Sequence, residues 1–122
     1  MPVGKAIIDI KNLRLRTFIG FNPEEREKQQ DIIVNAVMHY DASDAMATDN
    51  VDQAVNYKSI TKSIIHHVEN NRFLLLEKLV CDLLSICSEP IAIDYASVTV
   101  DKPHALRFAD SVSLTIDYHR ND

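Results

Sequence analysis

Arg72-Phe73-Leu74-Leu75-Leu76-Glu77-Lys78-Leu79 opens an amphipathic helix and sets a carboxylate beside its most apolar run. The spacing predicts a helix from about Phe73 to Cys87, with Leu76, Leu79, Val80, Leu83 and Cys87 on one stripe and Glu89-Pro90 as its stop. Glu77 is the anomaly in this pattern. Burying a carboxylate without a positive partner costs several kcal/mol. Its helical neighbours three and four positions away are Phe73, Leu74, Val80 and Cys81, none of them basic. Two readings stay open: a solvated glutamate on the edge of the stripe, or a carboxylate aimed at a ligand that brings N–H donors.

Upstream lies a first helix, in which Tyr57, Ile60, Ile64, Ile65 and Val68 fall on one face, Asn56 stands at the N-cap and Glu69-Asn70-Asn71 ends the run. The helix pair is bracketed by strands. Ala6, Ile8 and Ile10 alternate with polar residues, then Leu13 and Leu15 alternate with Arg14 and Arg16, so the parity slips and a bulge is expected near Asn12. Gly20 breaks that strand, and residues 22–30 read as a polar connection turned by Pro23. Ile32, Val34, Ala36, Met38 and Tyr40 mark a second strand from Asp31 to Tyr40, and Asp41 to Asp52 reads as a loop with one helical turn at most. After the helices, Ala96, Val98 and Val100 form a third strand, and Val112, Leu114, Ile116 and Tyr118 a fourth. The nine residues 102–110 between them are too many for a tight hairpin and form a candidate functional loop. The order is ββααββ, an α+β fold in which two helices lie on one face of a four-stranded antiparallel sheet. Such a sheet has two open edges, so a ring-like homo-oligomer is expected, with a monomer of blunted edges as the alternative.

A chain of 122 residues, 46% hydrophobic and 25% charged, is expected to be one domain spanning residues 1–122. Its net charge of −5 and the lack of a Lys/Arg stripe argue against nucleic acid or an anionic membrane as the main partner. Met1-Pro2-Val3-Gly4-Lys5 does not begin an apolar leader, no stretch reaches bilayer-spanning length, and a cytoplasmic location is expected. Cys81 and Cys87 point to different sides of one helix and are expected to be core thiols. His66 and His67 are adjacent, and His39, His104 and His119 stand alone, so neither metal nor cofactor is expected.

Four ionisable residues stand at element ends: Glu25, Tyr57, Glu77 and Lys102. Each alone has an ordinary explanation, as a loop glutamate, a helix-start core contact, a solvated glutamate and a loop lysine. Together with Gly20 before Pro23-Glu24-Glu25 and Gln30, with Val55-Asn56-Tyr57, with Leu75-Leu76-Glu77-Lys78-Leu79 and with Val98-Thr99-Val100-Asp101-Lys102-Pro103, they resemble the dihydroneopterin aldolase and epimerase family over nearly the whole chain. The stretches 68–73 and 101–112 resemble its branch that epimerises dihydroneopterin triphosphate to dihydromonapterin triphosphate.

The resemblance implies a tunnelling fold that assembles into a homo-octamer of two stacked rings, with pterin sites between subunits. It assigns Glu77 to the 2-amino group and N3–H of the pterin, with the backbone of Leu76 and, from the neighbouring subunit, Val55 completing that edge. It makes Lys102 the proton carrier at N5 and the side-chain hydroxyl, has Tyr57 assist, and has Glu25 with Gln30 organise the base side; either Glu24 or Glu25 fits that position. Retro-aldol cleavage and re-addition would invert C2′ of 7,8-dihydroneopterin 3′-triphosphate. Arg14 and Arg16, two residues apart on one strand face, and Arg107 in the loop are the candidate phosphate ligands, each with a solvated surface role as alternative. His104 stands where aldolases carry a glycine after Lys-Pro, where it would either narrow the site or contact the substrate side chain. The alternatives are a dihydroneopterin aldolase giving 6-hydroxymethyl-7,8-dihydropterin and glycolaldehyde, and a non-catalytic pterin-binding oligomer.

Overall fold

Strand β1, Lys5–Ile19, and strand β2, Gln30–Asp41, form the long antiparallel ribbon on which the fold is built. The computed structural model describes residues 4–120, so the reading of Met1 to Val3 as no part of a leader lies outside the described residues. The register of the ribbon shifts between Ile10 and Leu13. Asn12 takes the left-handed conformation there, φ 53°, and its N–H donates to the Asn35 side-chain oxygen at 2.9 Å. The expected bulge is thus present, and it keeps Ala6, Ile8 and Ile10 on the same face as Leu13, Leu15, Thr17 and Ile19.

Strand β4, Ile93–Lys102, pairs antiparallel with β2 and with β5, Val112–His119. Helix α3, Tyr57–Glu69, and helix α4, Leu76–Ser88, cover one face of this sheet. Their stripes, Ile60, Ile64 and Val68 from α3 and Leu79, Val80, Leu83, Leu84 and Cys87 from α4, meet Ile32, Val34, Ala36, Met38, Ile93, Ala96, Val98 and Val100 in one core. Asn56 caps α3 as expected, its side chain accepting from the Ser59 N–H.

The sequence reading needs correction in four places. Among the described residues the sheet has five strands, in the order β3-β1-β2-β4-β5, because Arg72–Phe73 forms a short β3 parallel to Phe18–Ile19. Phe73 is therefore extended, with its carbonyl accepting from the Gly20 N–H at 2.9 Å, and the helix starts three residues later. A leucine-rich run satisfies either state, and long-range pairing decides here. Second, the connection after Gly20 holds helix α1, Pro23–Glu27, which starts on Pro23 as proline at a first helical position favours. Third, the segment read as a loop contains helix α2, Ser43–Thr48, and a 3-10 turn, Val51–Gln53. Fourth, Cys81 is exposed; Cys87 alone is a core thiol, its pKa pushed up to about 12 by burial.

The helices give the sheet two distinct ends. The Thr17 hydroxyl, buried, donates to the Val68 carbonyl at 2.8 Å, so the C-terminus of α3 sits where β1 finishes and β2 begins. Its N-terminus lies beside the other end, where Ser59, Ile60 and Ser63 share a shallow pocket with Ile86, Glu89 and Pro90. Helix α4 runs from the first end to the second, where Arg120 ties its last turn by donating to the carbonyls of Ser88, Pro90 and Ile93. Lys102 closes β4 at the first end and Ile93 opens it at the second. Among the described residues no helix is long and apolar enough to cross a membrane.

Candidate active site

At the Lys102 end, Lys102 Nζ donates to Glu25 Oε2 at 2.9 Å. The two residues are 77 positions apart, and three local features make them meet. Lys102 continues the helix-facing register of Ala96, Val98 and Val100, so its ammonium turns toward the covered side of the sheet. Helix α1 presents Glu25 from the connection opposite, with the Asn22 N–H donating to Glu25 Oε1 at 3.3 Å. Gly20, at φ 128°, leaves the space the carboxylate occupies: a Cβ there would stand 2.2 Å from Glu25 Cδ. The Gln30 amide donates to the Ile19 carbonyl and, at 3.4 Å, to Glu25 Oε2, the oxygen that also accepts from Lys102.

With 13% and 22% of their side chains accessible, Lys102 and Glu25 form the most sheltered ion pair among the described residues. The hydrogen bond from Lys102 holds the Glu25 carboxyl below its ordinary pKa, against the opposing effect of burial, and the Asn22 and Gln30 donors add to it. Glu25, and not Glu24, is the glutamate that meets Lys102. A cleft of about 520 Å³ opens beside the pair, lined by Phe18, Gly20, Pro23, Glu25, Arg26, Glu27, Arg72, Phe73 and Leu74. Glu25 faces this cleft with Lys102 hydrogen-bonded to it, and a salt-bridged lysine and glutamate can pass a proton to and from a ligand without leaving an uncompensated charge.

Glu77 lies at the same end, in the first turn of α4, and is exposed; it is neither buried nor held by a basic partner among the described residues. Leu76 beside it is half-buried, and the neighbouring Leu74 and Leu75 are exposed. A second cleft of about 510 Å³ adjoins, where Asp82 accepts from Lys78 Nζ and pairs with His67 Nε2, both at 2.8 Å. Burial alone would raise the Asp82 pKa, but the Lys78 and His67 hydrogen bonds outweigh it and lower the pKa. This clamp fixes α4 to the end of α3, and only the Lys78/Asp82 spacing of four announces it in the sequence.

The remaining candidates are elsewhere. Tyr57, half-exposed, and Val55, buried, stand at the N-terminus of α3, whose thirteen residues span ~20 Å, so within one chain they are at the end of the sheet opposite Lys102. Arg14 and Arg16 occupy the face the helices leave open, whereas Lys102 and Gln30 face the helices. They line a separate cleft of about 370 Å³ with Asp31, Pro103 and His104, where Arg16 pairs with Asp31 at 3.2 Å and donates to the Gln29 carbonyl. Arg107 is exposed in the loop, 5.6 Å from the Phe108 ring centroid. Arg26 and Arg72, which do line the cleft beside Glu25, were not singled out by the sequence.

Residues 8–117 match the family described as dihydroneopterin aldolase. The chain is 55% identical over 120 residues to the dihydroneopterin triphosphate 2′-epimerase of Escherichia coli K12, covering 98% of this chain and 100% of that protein. It is 51% identical over 117 residues to the dihydroneopterin triphosphate 2′-epimerase of Pseudomonas aeruginosa, covering 96% and 95%. Among solved structures, E. coli dihydroneopterin aldolase in complex with neopterin superposes with a TM-score of 0.86 at 25% identity, over 93% of this chain and 98% of that one.

Proposed function

The chain belongs to the dihydroneopterin aldolase family, and on that premise we propose that it catalyses epimerisation at C2′ of 7,8-dihydroneopterin 3′-triphosphate to 7,8-dihydromonapterin 3′-triphosphate. The observation that carries the reading is the sheltered Glu25–Lys102 pair beside a cleft at the sheet end, in a chain 55% and 51% identical to two dihydroneopterin triphosphate 2′-epimerases over 98% and 96% of its length. In the reaction the C2′ hydroxyl loses its proton, the C1′–C2′ bond breaks, and the bonding pair passes through C1′ into the ring imine at N5. Lys102 carries the proton between the hydroxyl and N5, Glu25 holds the lysine, and Gln30 holds Glu25. The ring itself is the electron sink, so no Schiff base is needed. Re-addition to the opposite face of the aldehyde gives the epimer.

Pterin recognition falls to Glu77, whose carboxylate is free to accept from the 2-amino group and N3–H, with the backbone at Leu76 beside it. Val55 and Tyr57 complete the site from a neighbouring copy, because their own lie a helix length away from Lys102. The working unit is a homo-oligomer, proposed as an octamer. Composition and charge support a cytoplasmic location and a single domain, and Arg107 is proposed near the substrate side chain. A dihydroneopterin aldolase is the related alternative, in which the aldehyde leaves before re-addition.

Chiral chromatography of the pterins formed from dihydroneopterin triphosphate and, separately, dihydroneopterin tests the reading. Mainly monapterin-type product from the triphosphate, reduced by at least ~100-fold in Lys102→Ala, is the expected result. Mainly 6-hydroxymethyl product would move the assignment to the aldolase, and no turnover of either would leave a binding protein.

A further inference from the structure

Two arginines absent from the mechanism above face the cleft beside Glu25. Arg72 is held in place: its guanidinium lies 3.8 Å from the Phe18 ring centroid, and one of its nitrogens donates to the Arg26 carbonyl at 3.1 Å. Strand β3 fixes its backbone, since Arg72 pairs with Phe18 on β1. Among the described residues no carboxylate pairs with Arg72 or with Arg26. Glu27 also lines the cleft, but the Glu25 charge is already matched by Lys102. The lining arginines and glutamates balance, and with Lys102 counted beside Glu25 the cations exceed the carboxylates by one, on a chain whose total is −5. An ordered guanidinium fork with free N–H groups and no anion is suited to a phosphate group.

Resting on the epimerase reading, we propose that Arg72, supported by Arg26, binds the triphosphate tail and retains the cleaved aldehyde for re-addition. Arg14 and Arg16 are on the other face of the sheet, and Arg16 is already engaged with Asp31. Breaking C1′–C2′ turns C2′–C3′ into glycolaldehyde that still carries the triphosphate. The hydroxyl proton and the bonding pair stay with the Lys102 side and the ring, and re-addition returns both, so no oxidant or reductant enters. Whether the outcome is an epimer or an aldolase product then depends on how long the aldehyde stays, and the arginines act on that fragment alone.

Arg72→Ala separates this role from a packing role by its pattern over two substrates. The ratio of kcat/KM for the triphosphate to that for dihydroneopterin is expected to fall about 10- to 100-fold, with the 6-hydroxymethyl fraction from the triphosphate rising. Arg72→Lys, which keeps the charge but not the fork, should fall between, and Glu27→Gln should raise the ratio. Titration calorimetry with inorganic tripolyphosphate gives a readout independent of turnover: binding by the wild type, lost in Arg72→Ala, is expected. If turnover fails on both substrates while that difference persists, the activity is wrong and the anion site stands. Equal losses on both substrates, an unchanged product fraction, or tripolyphosphate binding that depends instead on Arg14 and Arg16 would overturn the proposal.

Discussion

At the scale of single residues, the candidate site depends on Gly20 for space as much as on Glu25 and Lys102 for charge. Alanine at position 20 brings two penalties, a left-handed-side φ of 128° and a Cβ 2.2 Å from Glu25 Cδ. We expect Gly20→Ala to cost about 1–3 kcal/mol and to push the carboxylate off Lys102. In a Glu25→Ala background the steric part disappears, so a double-mutant cycle by urea unfolding should show coupling of about 1 kcal/mol. Equal cost in both backgrounds would put all the strain in the backbone. The pair also sets a pH dependence. Because Lys102 lowers the Glu25 pKa below 4.5, the charged pair contributes stability that is complete above that value and is lost as the pH falls through the lowered pKa. Glu25→Gln should therefore be less stable than wild type at neutral pH, with the gap narrowing as the pH falls below 4.5 in thermal unfolding. A gap that stays constant on acidification would mean that Glu25 contributes through shape rather than charge.

At the scale of elements, the bulge at Asn12 decides which side chains the helices cover. Its left-handed φ of 53° suits Asn or Gly and not a β-branched residue. Asn12→Gly should stay within about 0.5 kcal/mol of wild type, while Asn12→Val should lose about 1–2 kcal/mol, both read from urea midpoints at unchanged slope. The bulge was legible because an apolar parity that slips between Ile10 and Leu13 has one physical remedy. The long strands and both long helices were legible for the same reason, since each buries a stripe with a fixed period. Strand β3 was not: two residues carry no period, and only the pairing of Phe18 and Ile19 with Arg72 and Phe73 defines them. Missing β3 hid Arg72, which read as the approach to a helix. Glu25 and Lys102 stood out as ionisable residues at element ends, but family resemblance gave them, with Gln30, a shared site, because spacing cannot bring together residues 77 positions apart. One signal was present and unused: Lys102 continues the buried register of Val98 and Val100, whereas Arg14 and Arg16 continue the exposed one.

At the scale of the whole molecule, the proposed site residues are divided between the two ends of a single chain. Lys102, Glu25 and Glu77 stand at one end of the sheet, and Tyr57 with Val55 at the other, ~20 Å away along α3. Each end also exposes apolar side chains, Phe21, Leu74 and Leu75 at the first and Met46, Val51 and Ile91 at the second. Two unlike ends that each lack what the other has fit a head-to-tail contact, and head-to-tail contacts that close give rings. A subunit-mixing experiment tests this directly. Lys102→Ala and Tyr57→Phe chains, each expected to be nearly inactive alone, are co-expressed in equal amounts. In a composite site, native Lys102 comes from a Tyr57→Phe chain and native Tyr57 from a neighbouring Lys102→Ala chain. Random mixing then restores about a quarter of the sites, and epimerase activity should recover to about that fraction of wild type. If both residues served the same site from one chain, no mixture could contain a native site and activity would stay at the level of the single variants. Recovery near a quarter, in an assembly that sedimentation shows to be larger than one chain, would place the reacting lysine and the tyrosine on neighbouring copies.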